Sequence, residues 1–464
     1  MKLRNLNFYI TLIGWICILN LIGPYSLSYE YNTNGNEHIN QLKVSATNTE
    51  LPYFTWGGDG YESAYDIARD SLNNTYIVGL TNSFGAGQSD FCVLKLNSSG
   101  KLEWNKTYGG IYSDWGTSIA IDSLDNIFVT GFTDSFGAGG NDIWILKLNT
   151  TGGVEWNYTW GGIRDEFGWS IALDSENNAY VAGRTNSFGA GNSDMCLIKF
   201  NSSGVVWNYT AGGSGYENAY GLTLDPQGNI YAVGATKSFG KGFGNNDLYL
   251  VKFNSTGMIW NYTWGCADDD QGTDVKYTPS GDLYVAGYYH KTPDCSEPSS
   301  YMPYYYIGLI KFTSDGIYQW NSTWVESKNS WTFAMDMDSS GNTYIAGYTN
   351  PEINNDYDMC LIRYNSSGTA DWSCIWGGSE SELVQGLVLG PNGTALVVGD
   401  TKSYGMGSSD LCMVEFKIGQ CPLNIPDDGV PEISGYHIIM FIGISISIVV
   451  YIIKTKHKDS NKNK

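Results

Sequence analysis

Two stretches of this 464-residue chain combine side chains of the kinds that hold ligands. They read Cys266-Ala-Asp-Asp-Asp-Gln271 and His290-Lys-Thr-Pro-Asp-Cys-Ser-Glu-Pro-Ser-Ser-Tyr-Met-Pro-Tyr-Tyr-Tyr306. Asp268, Asp269, Asp270 and His290 are candidate polar contacts, and Tyr304 and Tyr305 are candidate stacking faces. Asp294 and Glu297 offer hard oxygen ligands, so calcium is the one cofactor the sequence suggests. Together they suit calcium-assisted or stacking recognition of a sugar or a peptide. A loop that has drifted without a ligand is the bland alternative. Cys266 and Cys295 are expected to form a disulfide pinning the two stretches together, with two independent thiols as the alternative.

Signs of catalysis are thin, and no catalytic residue is assigned. Outside the two chain ends the only histidines are His38 and His290, too few for a His-based triad or a zinc site. There is no Gly-x-Ser-x-Gly. Paired carboxylates abound in an acidic protein and are unspecific.

The elements that would position these residues are set by an internal repeat. The points Trp56-Gly57-Gly58, Tyr108-Gly109-Gly110, Trp160-Gly161-Gly162, Ala211-Gly212-Gly213, Trp264-Gly265, Trp324 and Trp376-Gly377-Gly378 recur at intervals of 52, 52, 51, 53, 60 and 52 residues. Each interval holds four strand-like runs separated by Asn-rich, Gly-x-Gly and Asn-Ser-Ser-Gly turns. Four short strands per repeat is the size of a propeller blade. Six repeats are complete, and the seventh stops after three strands near Phe416-Lys417. Leu51–Trp56 matches the missing fourth strand, so an all-β, seven-bladed β-propeller over 51–417, closed by an N-terminal strand, is expected. Closure leaves no open blade edge.

Recurrent residues fit that reading. Trp104, 156, 207, 260, 320 and 372, with Trp56, 160, 264, 324 and 376, share one face of the outermost strand. Eleven of 16 tryptophans are thereby assigned to contacts between blades. The first strand carries small residues at one register, Ser118, Ser170, Gly221, Ala334 and Gly386, as crowding near an axis demands; Asp66 and Asp274 break it. Asp90, 142, 194, 247, 358 and 410 close each Gly-x-Gly loop, either as loop caps or, less simply, as a ring of cation ligands. Cys92, Cys196, Cys360 and Cys412 occupy a packing slot that Trp144 and Tyr249 fill elsewhere, and are expected to be unpaired thiols.

The blade pattern Gly-Gly…Asp-x-x-x-Asn-x-Tyr-Val-x-Gly-x-Thr-x-Ser-Phe-Gly-x-Gly…Asp-x-x-x-x-Lys…Gly-x-x-x-Trp-Asn-x-Thr resembles the SBBP-type β-propeller repeat of bacterial and archaeal surface proteins. The resemblance covers about residues 51–417. It implies a fold and a compartment but no single activity.

The ends of the chain point the same way. Lys2 and Arg4 precede an apolar run from Phe8 to Ile22, so residues 1–29 read as a signal peptide, or else an uncleaved anchor. Residues 30–50 read as a linker. Tyr436–Ile453 lacks charge and precedes five lysines, which reads as a transmembrane helix (436–453) with a cytoplasmic basic tail (454–464) after a stalk (418–435). Residues 31–435 hold 19 basic against 45 acidic side chains, a balance of -26 that repels nucleic acid. Twelve sequons, at Asn73, Asn97, Asn105, Asn149, Asn157, Asn201, Asn208, Asn254, Asn261, Asn321, Asn365 and Asn392, are candidate glycosylation sites. None falls in a loop joining strands four to one or two to three. The face bearing those loops is therefore expected to point away from the membrane, free of glycan. The expected role is a single-pass, cell-surface binding or adhesion module for a glycan or protein. A carbohydrate-active hydrolase or lyase and a structural coat component are the alternatives.

Overall fold

The computed structural model describes residues 25–29, 42–46 and 53–421, apart from 241–244, 266–267, 291–303, 326, 328 and 351–355. The chain divides into two units, Met1–Pro52 and Tyr53–Lys464. In the first, Tyr25–Tyr29 pairs antiparallel with Leu42–Ala46 as a small hairpin, in a stretch that the sequence reading divided between leader and linker. The expected stalk and transmembrane segment (418–453) lie outside the described residues from 422 onward. Among the described residues no helix is long and apolar enough to cross a membrane.

The second unit is seven four-stranded antiparallel sheets. Blade one is Glu62–Arg69, Thr75–Thr81, Asp90–Leu96 and Leu102–Tyr108, and its pattern repeats through blade six. Blade seven takes Glu382–Gly390, Thr394–Thr401 and Asp410–Lys417 from the end of the repeats. Its fourth strand is Tyr53–Trp56, paired Tyr53↔Val414 through Trp56↔Leu411. Ring closure by the N-terminal strand is therefore as expected.

The repeat motif is consumed by this architecture. At the turn between strands one and two, Asp70 Oδ1 accepts the backbone N–H groups of Leu72 and Asn74, while Oδ2 accepts from the Asn74 side chain and the Tyr76 hydroxyl. Lys95 completes the set, its ammonium 5.5 Å from the Tyr76 ring centroid. The same unit recurs with Asp174, Asn178, Tyr180 and Lys199. At the opposite end, the carboxylates of Asp90, Asp142 and Asp194 accept from Gly87, Ala138 and Gly191 N–H, so they cap their own loops. Outer-strand tryptophans meet the next blade: a methyl group on Gly316 of blade five would lie 3.2 Å from the Trp260 ring of blade four. Cys92, Cys196, Cys360 and Cys412 are buried, unpaired thiols.

Candidate ligand site at the axial funnel

Each blade offers its first strand to the axis, and a buried acid stands at or just before the start of that strand: Glu62, Asp114, Glu166, Glu217, Asp270 and Glu382, with Ser330 in blade six. Glu62 shows why an acid recurs there. Its two oxygens accept from Gly58 N–H, Ser83 N–H and the Thr81 hydroxyl, tying the loops of one face together. A β-bulge follows in every blade. In blade one Ala64 pairs with Gly79 and Asp66 with Val78, leaving Tyr65 unpaired. The bulge turns two consecutive side chains, here Tyr65 and Asp66, into the axial cavity. Glycine is required opposite it. A Cβ on Gly79, Gly131, Gly183, Gly234, Gly287, Gly347 or Gly399 would fall between 1.8 and 2.3 Å from a neighbouring carbonyl oxygen.

Three positions per blade thus stand at or beside the bulge, and in every blade the bulged one reaches the cavity. The bulged residue is Tyr65, Thr117, Trp169, Tyr220, Thr273, Phe333 or Gln385, and all seven line the cavity. Two residues earlier stand Ser63, Trp115, Phe167, Asn218, Gln271, Trp331 and Leu383. Their cross-strand partners are Leu80, Phe132, Arg184, Ala235, Tyr288, Tyr348 and Asp400. Glycines and acids beside them repeat; these positions differ from blade to blade.

The differing residues are heavily aromatic. Tyr65–Trp115, Trp115–Phe132, Phe132–Phe167 and Trp169–Tyr220 follow one another at centroid separations of 6.0, 5.3, 4.7 and 6.3 Å. Across the mouth, Tyr288–Tyr305, Tyr305–Trp331 and Trp331–Tyr348 are each 5.5 Å apart. Most of these rings are half-buried. Burial raises the Tyr61 and Tyr348 phenols to about 12, with the Asp400 charge adding to the effect.

Below the rings lies the cavity, about 390 Å³. Its walls carry Asp66, Asp274, Asp336, Lys276 and Arg69. Burial pushes the Asp66 and Asp274 carboxyls up, while backbone donors and Lys276 hold them down. The Lys276 ammonium, 3.8 Å from Asp274, is held charged chiefly by that carboxylate. Its side chain is 39% exposed, so it reaches the water of the cavity.

The residues singled out from sequence divide. Asp270 is buried and accepts the His290 N–H, the blade-five version of the Glu62 cap. Asp269 accepts the Asn246 N–H, as Asp165 accepts that of Asn141. Asp268 pairs with His290 Nδ1 at 3.4 Å. Tyr305 joins the aromatic rim, and Tyr304 precedes it, half-buried. Burial and then Asp269, Asp268 and Asp270 push the Tyr305 phenol up. Cys266, Cys295, Asp294 and Glu297 lie outside the described residues, so the expected disulfide and calcium ligands do too. Among the described residues no three His, Cys, Asp or Glu side chains group as a metal site. The sequence reading missed the rim itself. The signal was available, as aromatic residues one and three places after the recurrent acid.

A closed ring of seven such sheets around an axial cavity defines a β-propeller. The SBBP β-propeller repeat matches residues 107–137 and 162–189, and a β-propeller domain of unknown function matches 339–373, which supports a propeller of the SBBP repeat type. An uncharacterized WD repeat-containing protein, L264, of Acanthamoeba polyphaga mimivirus is 22% identical over 378 residues, 75% of this chain and 23% of its own length. Regulatory protein FlaEY of Caulobacter vibrioides is 26% identical over 147 residues, 28% of this chain and 15% of its own. The chain thus spans less than a quarter of the length of these relatives. Among solved structures, Kuenenia stuttgartiensis hydrazine synthase superposes with TM-score 0.48 at 11% identity, covering 79% of this chain and 96% of that one. Sqt1 from Chaetomium thermophilum gives 0.44 at 12%, covering 79% and 98%.

Proposed function

We propose that the protein is a cell-surface binding module whose funnel face receives a glycan or protein ligand. The observation carrying this is the distribution of change within the repeat. Side chains that hold the blades together recur, whereas those at and beside the bulge differ, and ten of these 21 are aromatic. Half-buried rings held by a rigid sheet give contact area at little entropic cost. An aromatic rim favours binding over the enzyme alternative. Asp66, Asp274 and Asp336 each already accept backbone N–H groups, which fits wall carboxylates better than an acid and base poised over a bond. The surface location rests on the signal-like and transmembrane-like ends and the sequon pattern. The test is a binding screen of the full-length, detergent-solubilised protein against glycans and cell-surface extracts, repeated with Trp115→Ala and Trp331→Ala. Loss of binding in folded variants supports the funnel; hits that both variants retain place the ligand elsewhere.

A further inference from the structure

The two sides of the mouth differ in one respect. In blade three Arg184 lays its guanidinium carbon 4.4 Å from the Phe167 centroid and 5.3 Å from that of Tyr216, and donates to the Tyr216 hydroxyl at 2.5 Å. That side already holds a cation on its aromatic faces. At the same second-strand position blades five and six carry Tyr288 and Tyr348 instead. Around them stand Tyr305, Trp331 and Tyr357, with neighbouring centroids 5.3 to 5.7 Å apart. The planes meet at 86°, 41°, 37°, 71° and 72°, so the rings form angled walls and not a stack. Asp268 and Asp269 lie close enough for their charges to act on the Tyr305 phenol.

We propose that this corner takes a cationic side chain, the lysine or arginine of a basic peptide or protein segment. The inference rests on the funnel being a binding site and names its ligand class. Electron-rich ring faces attract an ammonium or guanidinium, and nearby carboxylates add to the field. The acidic body, -26 over residues 31–435, draws basic segments toward it from a distance. Arg184 supplies the internal precedent that this register accommodates a cation on aromatic faces.

The test uses full-length protein with three probes: a lysine-rich octapeptide, the same peptide with its lysines acetylated, and a neutral hexasaccharide. Tryptophan fluorescence and calorimetry read binding. The expected result is binding of the lysine peptide only, weakened at least about tenfold by acetylation and by Trp331→Leu or Tyr348→Leu. Both substitutions leave net charge unchanged, so non-specific attraction to an acidic surface survives them. Equal binding of the lysine peptide to wild type and to both folded variants overturns the proposal. Hexasaccharide binding that Trp331→Leu abolishes, without lysine-peptide binding, overturns it too but leaves the funnel reading standing. If none of the probes binds, the cationic-ligand proposal falls, and the screen described above decides the funnel reading separately.

Discussion

Asp66 of blade one accepts a 2.7 Å hydrogen bond from the Ser118 hydroxyl of blade two. The same oxygen accepts the Ile119 N–H at 3.0 Å, and the other accepts the Ile67 N–H. A residue that breaks the small-side-chain register at the axis is thus a tie between neighbouring inner strands. Asp274 does the same across blades five and six, through Met335 N–H, and Asp336 across blades six and seven, through Leu389 N–H.

Asp66→Ala is expected to destabilise the propeller by about 1–3 kcal/mol, because it leaves buried donors of the next blade unpaired. Ser170→Ala, at the same register but without such a tie in blade three, should stay within about 0.5 kcal/mol of wild type. Denaturant titration of both variants decides. Equal midpoints for the two would show that the axial carboxylate contributes nothing to cohesion.

Removing Tyr53–Trp56 strips the fourth strand from blade seven and uncovers the edge Leu411–Val414. An apolar unpaired edge recruits other chains, so the truncated protein should aggregate or lose most of its stability. A monomer on size-exclusion chromatography with wild-type melting would refute closure by this strand.

How much of this was legible beforehand follows from what repeats. Blade number, closure and the roles of the recurrent Trp, Asp and Cys positions could be read because seven copies of one solution reveal its fixed parts. Asp90 and its counterparts are loop caps, the simpler of the two readings. The funnel was harder to see. Trp115, Trp331 and Tyr348 sit at positions where the repeat has no consensus, and a β-bulge shifts which residues reach the axis. Bulges depend on a glycine opposite, such as Gly79, and strict alternation does not predict them. Blade five drew attention because its loops depart from the pattern. Yet Asp269 and Asp270 turned out to serve the same loop-binding tasks as Asp165 and Glu62.

A disulfide joins Cys374 and Cys421, Cα atoms 5.5 Å apart and 47 positions apart in sequence. It staples the segment after the last repeat strand to the outer strand of blade six. A loop of that length corresponds to roughly 4 kcal/mol in the chain-entropy model, and measured values usually reach about 2–4. Cys421→Ser should therefore lower the melting temperature by several degrees, and reduction of the wild type should reproduce the loss. Thiol labelling of the native protein should leave Cys92, Cys196, Cys360 and Cys412 untouched until denaturation, since burial pushes all four thiols up. Free labelling of Cys374 and Cys421 in protein from an oxidising compartment would contradict the pairing.

The caps of the Gly-pair face set the pH response. Burial raises the Asp142 carboxyl to about 6 and the Glu382 carboxyl to about 7, against hydrogen bonds that pull both down. Asp90 and Asp410 move the same way for the same reason. A carboxyl raised in the folded state binds its proton more tightly there than in the unfolded chain. Its contribution is therefore full below the ordinary carboxylate range and is lost as pH rises through about 6 to 7. Asp338 and Asp371 are held low, the first by hydrogen bonds around its turn and the second by Arg363. Their contribution fades only below the ordinary carboxylate range, so it is constant between pH 5 and 8. The melting temperature should accordingly rise by a few degrees when the protein is taken from pH 8 to pH 5. Glu382→Gln keeps an acceptor for Thr401 and Ser403 but cannot titrate, so it should flatten part of that rise. Melting curves at closely spaced pH values test this. A melting temperature that falls on acidification, or a slope unchanged in the variant, would show that Glu382 is not the group responsible.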